Sequence, residues 1–128
     1  MTVVLDSSAI IAAIKDEPGG NMVYAALEDA LVCTVNVGEV YGVATVSGWS
    51  IDAADGFLAA AGLKSVALSP DIARSAGLMA GLTRAAGLSL GDRCCLALAI
   101  HEQAEVLTAD RAWVQFAEPL GLSIKLIR

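Results

Sequence analysis

Ser89-Leu90-Gly91-Asp92-Arg93-Cys94-Cys95-Leu96-Ala97-Leu98-Ala99-Ile100 leads, after four residues, into Glu105-Val106-Leu107-Thr108-Ala109-Asp110. From Cys94 to Ile100 the first stretch is apolar on every side of a helix, as expected for one buried between other elements. The second is a short strand that follows it closely. A buried helix feeding a strand is the grammar of a parallel sheet, whose neighbouring strands need crossover connections. The same alternation extends outward in both directions. Before it, Thr2 to Leu5 reads as a first strand and Ser8 to about Lys15 as a helix ended by Glu17-Pro18-Gly19-Gly20. Met22, Val23, Ala26, Leu27, Ala30 and Leu31 recur at helical spacing, and Val32-Cys33-Thr34-Val35 reads as a second strand. Helices are expected from Asn36 to about Val46 and from Ile51 to Ala61, and a third strand from Lys64 to Leu68. Ser69-Pro70-Asp71 opens a helix, with Pro near its first position and Asp in its first turn, that runs to near Gly87. After the fourth strand, Glu105 to Thr108, a short helix covers Arg111 to Ala117 and a fifth strand Leu122 to Ile127. Five strands separated by helices predict a three-layer α/β/α domain with a five-stranded parallel sheet.

At 128 residues, 56% hydrophobic and 17% charged, the chain is expected to form one domain over residues 1–128, and disorder is excluded as its default state. The start has no basic segment ahead of its short apolar run. No stretch approaches the roughly 18 uninterrupted apolar residues of a membrane span. A soluble, cytoplasmic protein without a membrane partner is the expectation. The net charge of −6 argues against a partner held by a broad basic surface, such as duplex DNA. It does not exclude RNA, because a cation bound among acidic groups would cancel charge where a phosphate approaches. With 5% aromatic residues, a base-stacking platform is not expected. Cys33, Cys94 and Cys95 lack metal-ligand spacing and read as buried, reduced thiols.

Four acids carry the chemistry, and each has a plain alternative. Asp6 follows the first strand and precedes Ser7-Ser8, as a helix N-cap would. Glu39 lies three residues after Asn36, and Asp92 three after Ser89, both at capping-box spacing. Asp110 stands between the fourth strand and the next helix, where it could also cap. Their joint placement says more. In a parallel α/β sheet, the helix leaving a strand starts at that strand's carboxyl edge, and the helix beginning at Ser89 runs back antiparallel to the strand it feeds. All four acids are thus expected at one crevice, where open α/β sheets bind ligands. At an effective dielectric of about 20, two carboxylates 5 Å apart repel by roughly 3 kcal/mol. A hard divalent cation would relieve that repulsion.

In these motifs the chain resembles the PIN-domain ribonucleases, in particular the VapC-type toxins of toxin–antitoxin pairs, over essentially its whole length. Val3-Val4-Leu5-Asp6-Ser7-Ser8-Ala9 resembles the family's first acidic motif, with Ser8 as an accompanying hydroxyl. Asn36-Val37-Gly38-Glu39-Val40 resembles the second, with Asn36 as a supporting amide. Leu88-Ser89-Leu90-Gly91-Asp92 resembles the third, and Val106-Leu107-Thr108-Ala109-Asp110-Arg111, with the Thr108 hydroxyl, the fourth. The resemblance implies sheet order 3-2-1-4-5, a homodimer, Mg²⁺ or Mn²⁺, cleavage of structured RNA, and inhibition by a cognate VapB-like antitoxin. It implies Asp6 and Asp92 as primary metal ligands, with Glu39 and Asp110 completing the site by orienting metal-bound waters and accepting a proton. Hydrolysis would leave a 5′-phosphate and a 3′-hydroxyl. Gly38 departs from a good helix sequence, at a cost of roughly 1 kcal/mol relative to Ala, and could admit a close backbone approach.

Competing chemistries are weaker. A two-histidine ribonuclease is nearly excluded, since His101 is the only histidine, and its place at the polar end of the core helix suggests an exposed structural role. Gly87-Leu88-Ser89-Leu90-Gly91 matches G-x-S-x-G but lacks the strand that a nucleophile elbow requires before its serine. The alternative reading is a receiver-like phosphoacceptor domain with Asp71 as acceptor, for which Lys125 lies unsuitably inside the last strand. A silent binding module whose acids only cap helices is a third. Arg93 and Arg111 each follow a site acid in a first helical turn, where a cation is disfavoured. A phosphate contact and a salt bridge to a neighbouring acid explain this equally well.

Overall fold

The computed structural model describes residues 1–60 and 62–128. Its strands are β1 (Val3–Leu5), β2 (Ala30–Cys33), β3 (Lys64–Val66), β4 (Glu105–Thr108) and β5 (Ile124–Leu126), all parallel in the order β3-β2-β1-β4-β5. The helices are α1 (Ser7–Ile14), α2 (Gly20–Ala26), α3 (Thr34–Ser47), α4 (Ile51–Leu58), α5 (Pro70–Leu78), α6 (Ala80–Thr83), α7 (Leu90–Glu102) and α8 (Ala117–Leu120). Short 3₁₀ turns cover Leu27–Asp29, Arg84–Ala86 and Arg111–Phe116. The expected α/β/α architecture and sheet order are both observed.

Alternation along β1 divides the core. Val3 and Leu5 point to one face and pack with Ile10, Val23, Val32, Val40 and Phe57 from the side of α1 to α4. Val4 points to the other, against Ile72, Leu96, Leu98, Trp113 and Phe116. α7 touches β1, β2, β4, α3 and α5, which explains why residues 94–99 are all buried and why its sequence has no polar face. Among the described residues no helix is long and apolar enough to cross a membrane. Cys33, Cys94 and Cys95 are buried free thiols, and burial pushes the Cys95 thiol well above its usual range.

Several element boundaries differ from expectation. Ala30 and Leu31 belong to β2, not to the preceding helix. Their apolar spacing suits either state, and pairing with Val3 and Val4 decides it. Thr34 and Val35 are helical, because Cys33 ends the strand and serves as N-cap of α3. The third strand stops at Val66, and the Leu68 N–H donates to Thr34 Oγ1 (3.1 Å) instead of to a ladder. The fifth strand is confined to Ile124–Leu126. The helix expected from Pro70 to near Gly87 breaks at Met79, whose carbonyl accepts from Thr83 Oγ1 (2.9 Å). The turn expected as a helix from Arg111 is 3₁₀ as far as Phe116. α4 ends at Leu58, and the Ala61 end expected for it lies outside the described residues.

Candidate functional site

Asp6 occupies the N-cap position of α1 with extended backbone (φ −74°, ψ 155°), yet its side chain makes no cap hydrogen bond. Instead, Ser8 Oγ donates to Oδ2 at 2.6 Å and Thr108 Oγ1 donates to the same oxygen at 2.9 Å. The two hydroxyls in turn accept from the next turn of chain: Ala109 N–H donates to Ser8 Oγ and Asp110 N–H to Thr108 Oγ1, both at 3.0 Å. Asp6 is only 2% exposed. Burial pushes its carboxyl up to about 6; the Ser8 and Thr108 hydrogen bonds oppose the rise, and the charges of Asp92 and Glu39 add to it.

Glu39 and Asn36 do not form the capping box that their spacing suggested, because α3 begins two residues before Asn36. The Asn36 amide nitrogen donates to Glu39 Oε1 (2.8 Å) and to the Gly91 carbonyl (3.0 Å), tying α3 to the first turn of α7. At Ser89 and Asp92 the capping box is present: Ser89 N–H donates to Asp92 Oδ2 (2.9 Å), and Asp92 N–H to Ser89 Oγ (3.2 Å). Asp110 also caps, accepting from Ala112 N–H at 2.9 Å, and is exposed.

The fold thus brings Asp6, Glu39 and Asp92 close enough for their charges to act on one another, whereas Asp110 joins them only through Thr108. Among the described residues no group of three or more Asp, Glu, His or Cys side chains is arranged tightly enough to hold a metal ion as it stands. The chemistry of the set nonetheless suits a hard cation. Its donors are carboxylate and hydroxyl oxygens, and Asp6 is buried without a cationic partner, the described ion pairs being Lys15 and Arg128 with Glu17.

Arg93 makes no described salt bridge to a site acid; its guanidinium donates to the Ala76 carbonyl (3.0 Å), anchoring α7 to α5. Arg111 is exposed beside Asp110. The close-approach role considered for Gly38 is not observed, since a Cβ there would meet nothing within 4 Å. Gly91 is the glycine that matters, because a Cβ on it would lie 2.6 Å from Glu39 Cδ and 2.9 Å from Oε1. Sequence reasoning assigned it no role, although a glycine inside a first helical turn is an unfavourable choice that invites one. His101 is exposed and pairs with Ser75 Oγ (3.2 Å). Ser89 follows a 3₁₀ turn rather than a strand, which removes the nucleophile elbow. The receiver reading fails on topology. Asp71 follows β3 and Lys125 lies in β5, at opposite edges of the sheet, about 19 Å apart at four interstrand spacings.

Comparison with solved structures gives matches along essentially the whole chain. VapBC2 from Rickettsia felis, bound to a DNA fragment from its promoter, is 19% identical with a TM-score of 0.71, covering 98% of each chain. DNA-bound VapBC from Salmonella typhimurium is 17% identical with a TM-score of 0.71, covering 100% of this chain and 99% of that one. VapBC-5 from Mycobacterium tuberculosis, of the VapBC family of toxin–antitoxin systems, is 20% identical with a TM-score of 0.62, covering 100% and 99%. At these identities the likeness is one of fold. No curated protein matches the sequence significantly. The PIN domain model, however, matches residues 3–119, a span that contains Asp6, Glu39, Asp92 and Asp110 together with the strands that carry them to one edge, and the chain belongs to the PIN domain family.

Proposed function

We propose that the chain is a metal-dependent endoribonuclease, the toxin of a toxin–antitoxin pair, acting on structured RNA. The observation that carries this reading is Asp6. A carboxylate that is 2% exposed, fixed by two hydroxyls, unused as a cap and facing the charges of two further acids is costly to keep unless a cation uses it. Asp6 and Asp92 would hold Mg²⁺ or Mn²⁺ from the ends of β1 and α7. When bound, such an ion activates water and neutralises charge on a phosphodiester. Ser8 and Thr108 hold Asp6 in one orientation through Oδ2, leaving Oδ1 with only the long bond from Ser7 Oγ (3.5 Å). Asn36 holds Glu39 Oε1, so that Oε2 is free to orient the attacking water and accept its proton. Asp110 supports the same water from the β4 side. Arg111, exposed beside Asp110, would meet a phosphate, as would those Arg93 donors not committed to Ala76.

The test is cleavage of RNA by purified protein with Mg²⁺, with Mn²⁺ and with chelator. Activity with either ion, abolished by chelator and by Asp6→Asn or Asp92→Asn in folded protein, is expected, with 5′-phosphate on the downstream fragments. Cleavage that persists in chelator, once contaminating nuclease is excluded, would overturn the metal reading. The antitoxin assignment is supported by the fold shared with VapBC complexes. Exposed Leu78, Leu82 and Val114 leave apolar surface for association, which also favours a homodimer. Co-expression with the product of the adjacent small gene should give a stable complex with suppressed cleavage. A monomeric chain that neither binds nor is inhibited by that product would refute the pairing.

A further inference from the structure

Asn36 is fully buried one helical turn before Glu39, and it is the side chain through which α3 reaches α7 at the site. Both protons of its amide nitrogen have acceptors, Glu39 Oε1 and the Gly91 carbonyl. Its Oδ1 is buried and has no partner among the described residues. An unpaired buried carbonyl oxygen opposes folding, and an apolar side chain of the same shape would avoid that loss. Packing alone therefore does not account for an asparagine here. Across from it, Gly91 presents bare backbone, and a Cβ would overlap the Glu39 carboxylate, 2.6 Å from Cδ. Glu39 is thus held between an amide on its own helix and a gap in the first turn of α7, one residue from Asp92. Left unrestrained, a long acidic side chain near two other carboxylates would swing toward water, away from their charge.

We infer that Asn36 and Gly91 together position Glu39 against the first turn of α7, so that Glu39 and Asp92 face the same divalent cation. Asn36 is a positioning residue acting through Glu39, and the inference rests on the metal reading above. The experiment is calorimetric titration of Mn²⁺ into metal-stripped protein, with thermal melts in chelator, for wild type, Glu39→Gln, Asn36→Leu, Gly91→Ala and the Asn36→Leu/Glu39→Gln double variant. Asn36→Leu removes the unpaired oxygen together with the two amide hydrogen bonds; where the melt shows it folded, it should bind Mn²⁺ about tenfold more weakly, as loss of a ligand-orienting partner typically does. Gly91→Ala should weaken binding similarly, because its Cβ displaces the end of a flexible side chain rather than backbone. The double variant should bind no more weakly than Glu39→Gln alone. If Asn36→Leu does not fold, Gly91→Ala decides. Wild-type affinity in Asn36→Leu or Gly91→Ala, or an added loss in the double variant, would overturn the inference while leaving the metal reading intact. Full affinity in Glu39→Gln would do the same. A wild type that takes up no Mn²⁺ would overturn both.

Discussion

The turns that leave β1 and β4 lie side by side on adjacent parallel strands, joined where Asp6 N–H donates to the Leu107 carbonyl at 3.0 Å. Each presents an aspartate before a helical turn, and the local signal is the same. The outcomes are opposite. Asp110 caps its turn through Ala112 N–H and is exposed. Asp6 is buried, makes no cap bond, and takes its two short hydrogen bonds from hydroxyls, one of them contributed by β4, with a longer one from Ser7 Oγ to Oδ1 (3.5 Å). Position explains the difference. Asp6 directly follows the central strand, which is flanked by β2 and β4 and packed against α7. Asp110 comes two residues after β4, where the chain has already cleared the sheet edge. The same local signal thus yields an exposed capping carboxylate in one turn and a buried, hydroxyl-bound one in the other.

The largest effect is expected from Asp6→Asn, which should reduce RNA cleavage to the level of chelated wild type. In chelator the same variant should be more stable than wild type at pH 7 by on the order of 2–3 kcal/mol, because a carboxyl raised from 3.8 to about 6 is ionised at the expense of the fold. Chemical denaturation of both proteins measures this, and a variant that is less stable would remove the distinction between the two turns.

The pH dependence follows with a definite sign. The folded state holds the Asp6 proton more tightly than the unfolded state, so the stabilisation is fully present below about 3.8 and is lost as pH rises through about 6. Metal-free wild type should gain stability on acidification from pH 7 to about 4, relative to Asp6→Asn, until the two converge. A gap that stays constant over that range would show that Asp6 is not buried with its charge facing Asp92 and Glu39.

Thr108→Val tests the bond between the two turns. It removes the hydroxyl that donates to Asp6 and accepts from Asp110 N–H, and should cost about 1–2 kcal/mol while weakening, but not abolishing, cleavage. The smallest effects belong to Asp110. Asp110→Ala should cost about 1 kcal/mol as a lost cap, and Asp110→Asn, itself a good cap, only a few tenths. With its carboxylate already engaged, Asp110→Asn should lower cleavage rather than eliminate it. Activity as low as that of Asp6→Asn would place the two aspartates on an equal footing and break the comparison.

Much of this was legible in the chain. Short β-type runs alternating with helical patterns specify crossovers, and crossovers specify a parallel sheet whose carboxyl edge gathers the acids that end its strands. The uniformly apolar stretch from Cys94 to Ile100 marked α7 as the buried helix, and the Ser89 to Asp92 spacing marked its cap. These signals are local, or follow from chain connectivity, and survive without knowledge of neighbours. Other features were decided only in three dimensions. Ala30 and Leu31 took strand conformation because β1 offered them a ladder. Asn36 became a bridge rather than a cap because α7 lies across α3. Gly91 acquired a role because the Glu39 carboxylate occupies the space where its Cβ would stand. Asp6 and Asp110 carry the same helix-start signal in sequence. What divides them is burial and the partners that neighbouring strands supply, and these set the free energy of a charge through solvation and hydrogen bonding, which depend on everything packed around the residue and not on the residues beside it in the chain.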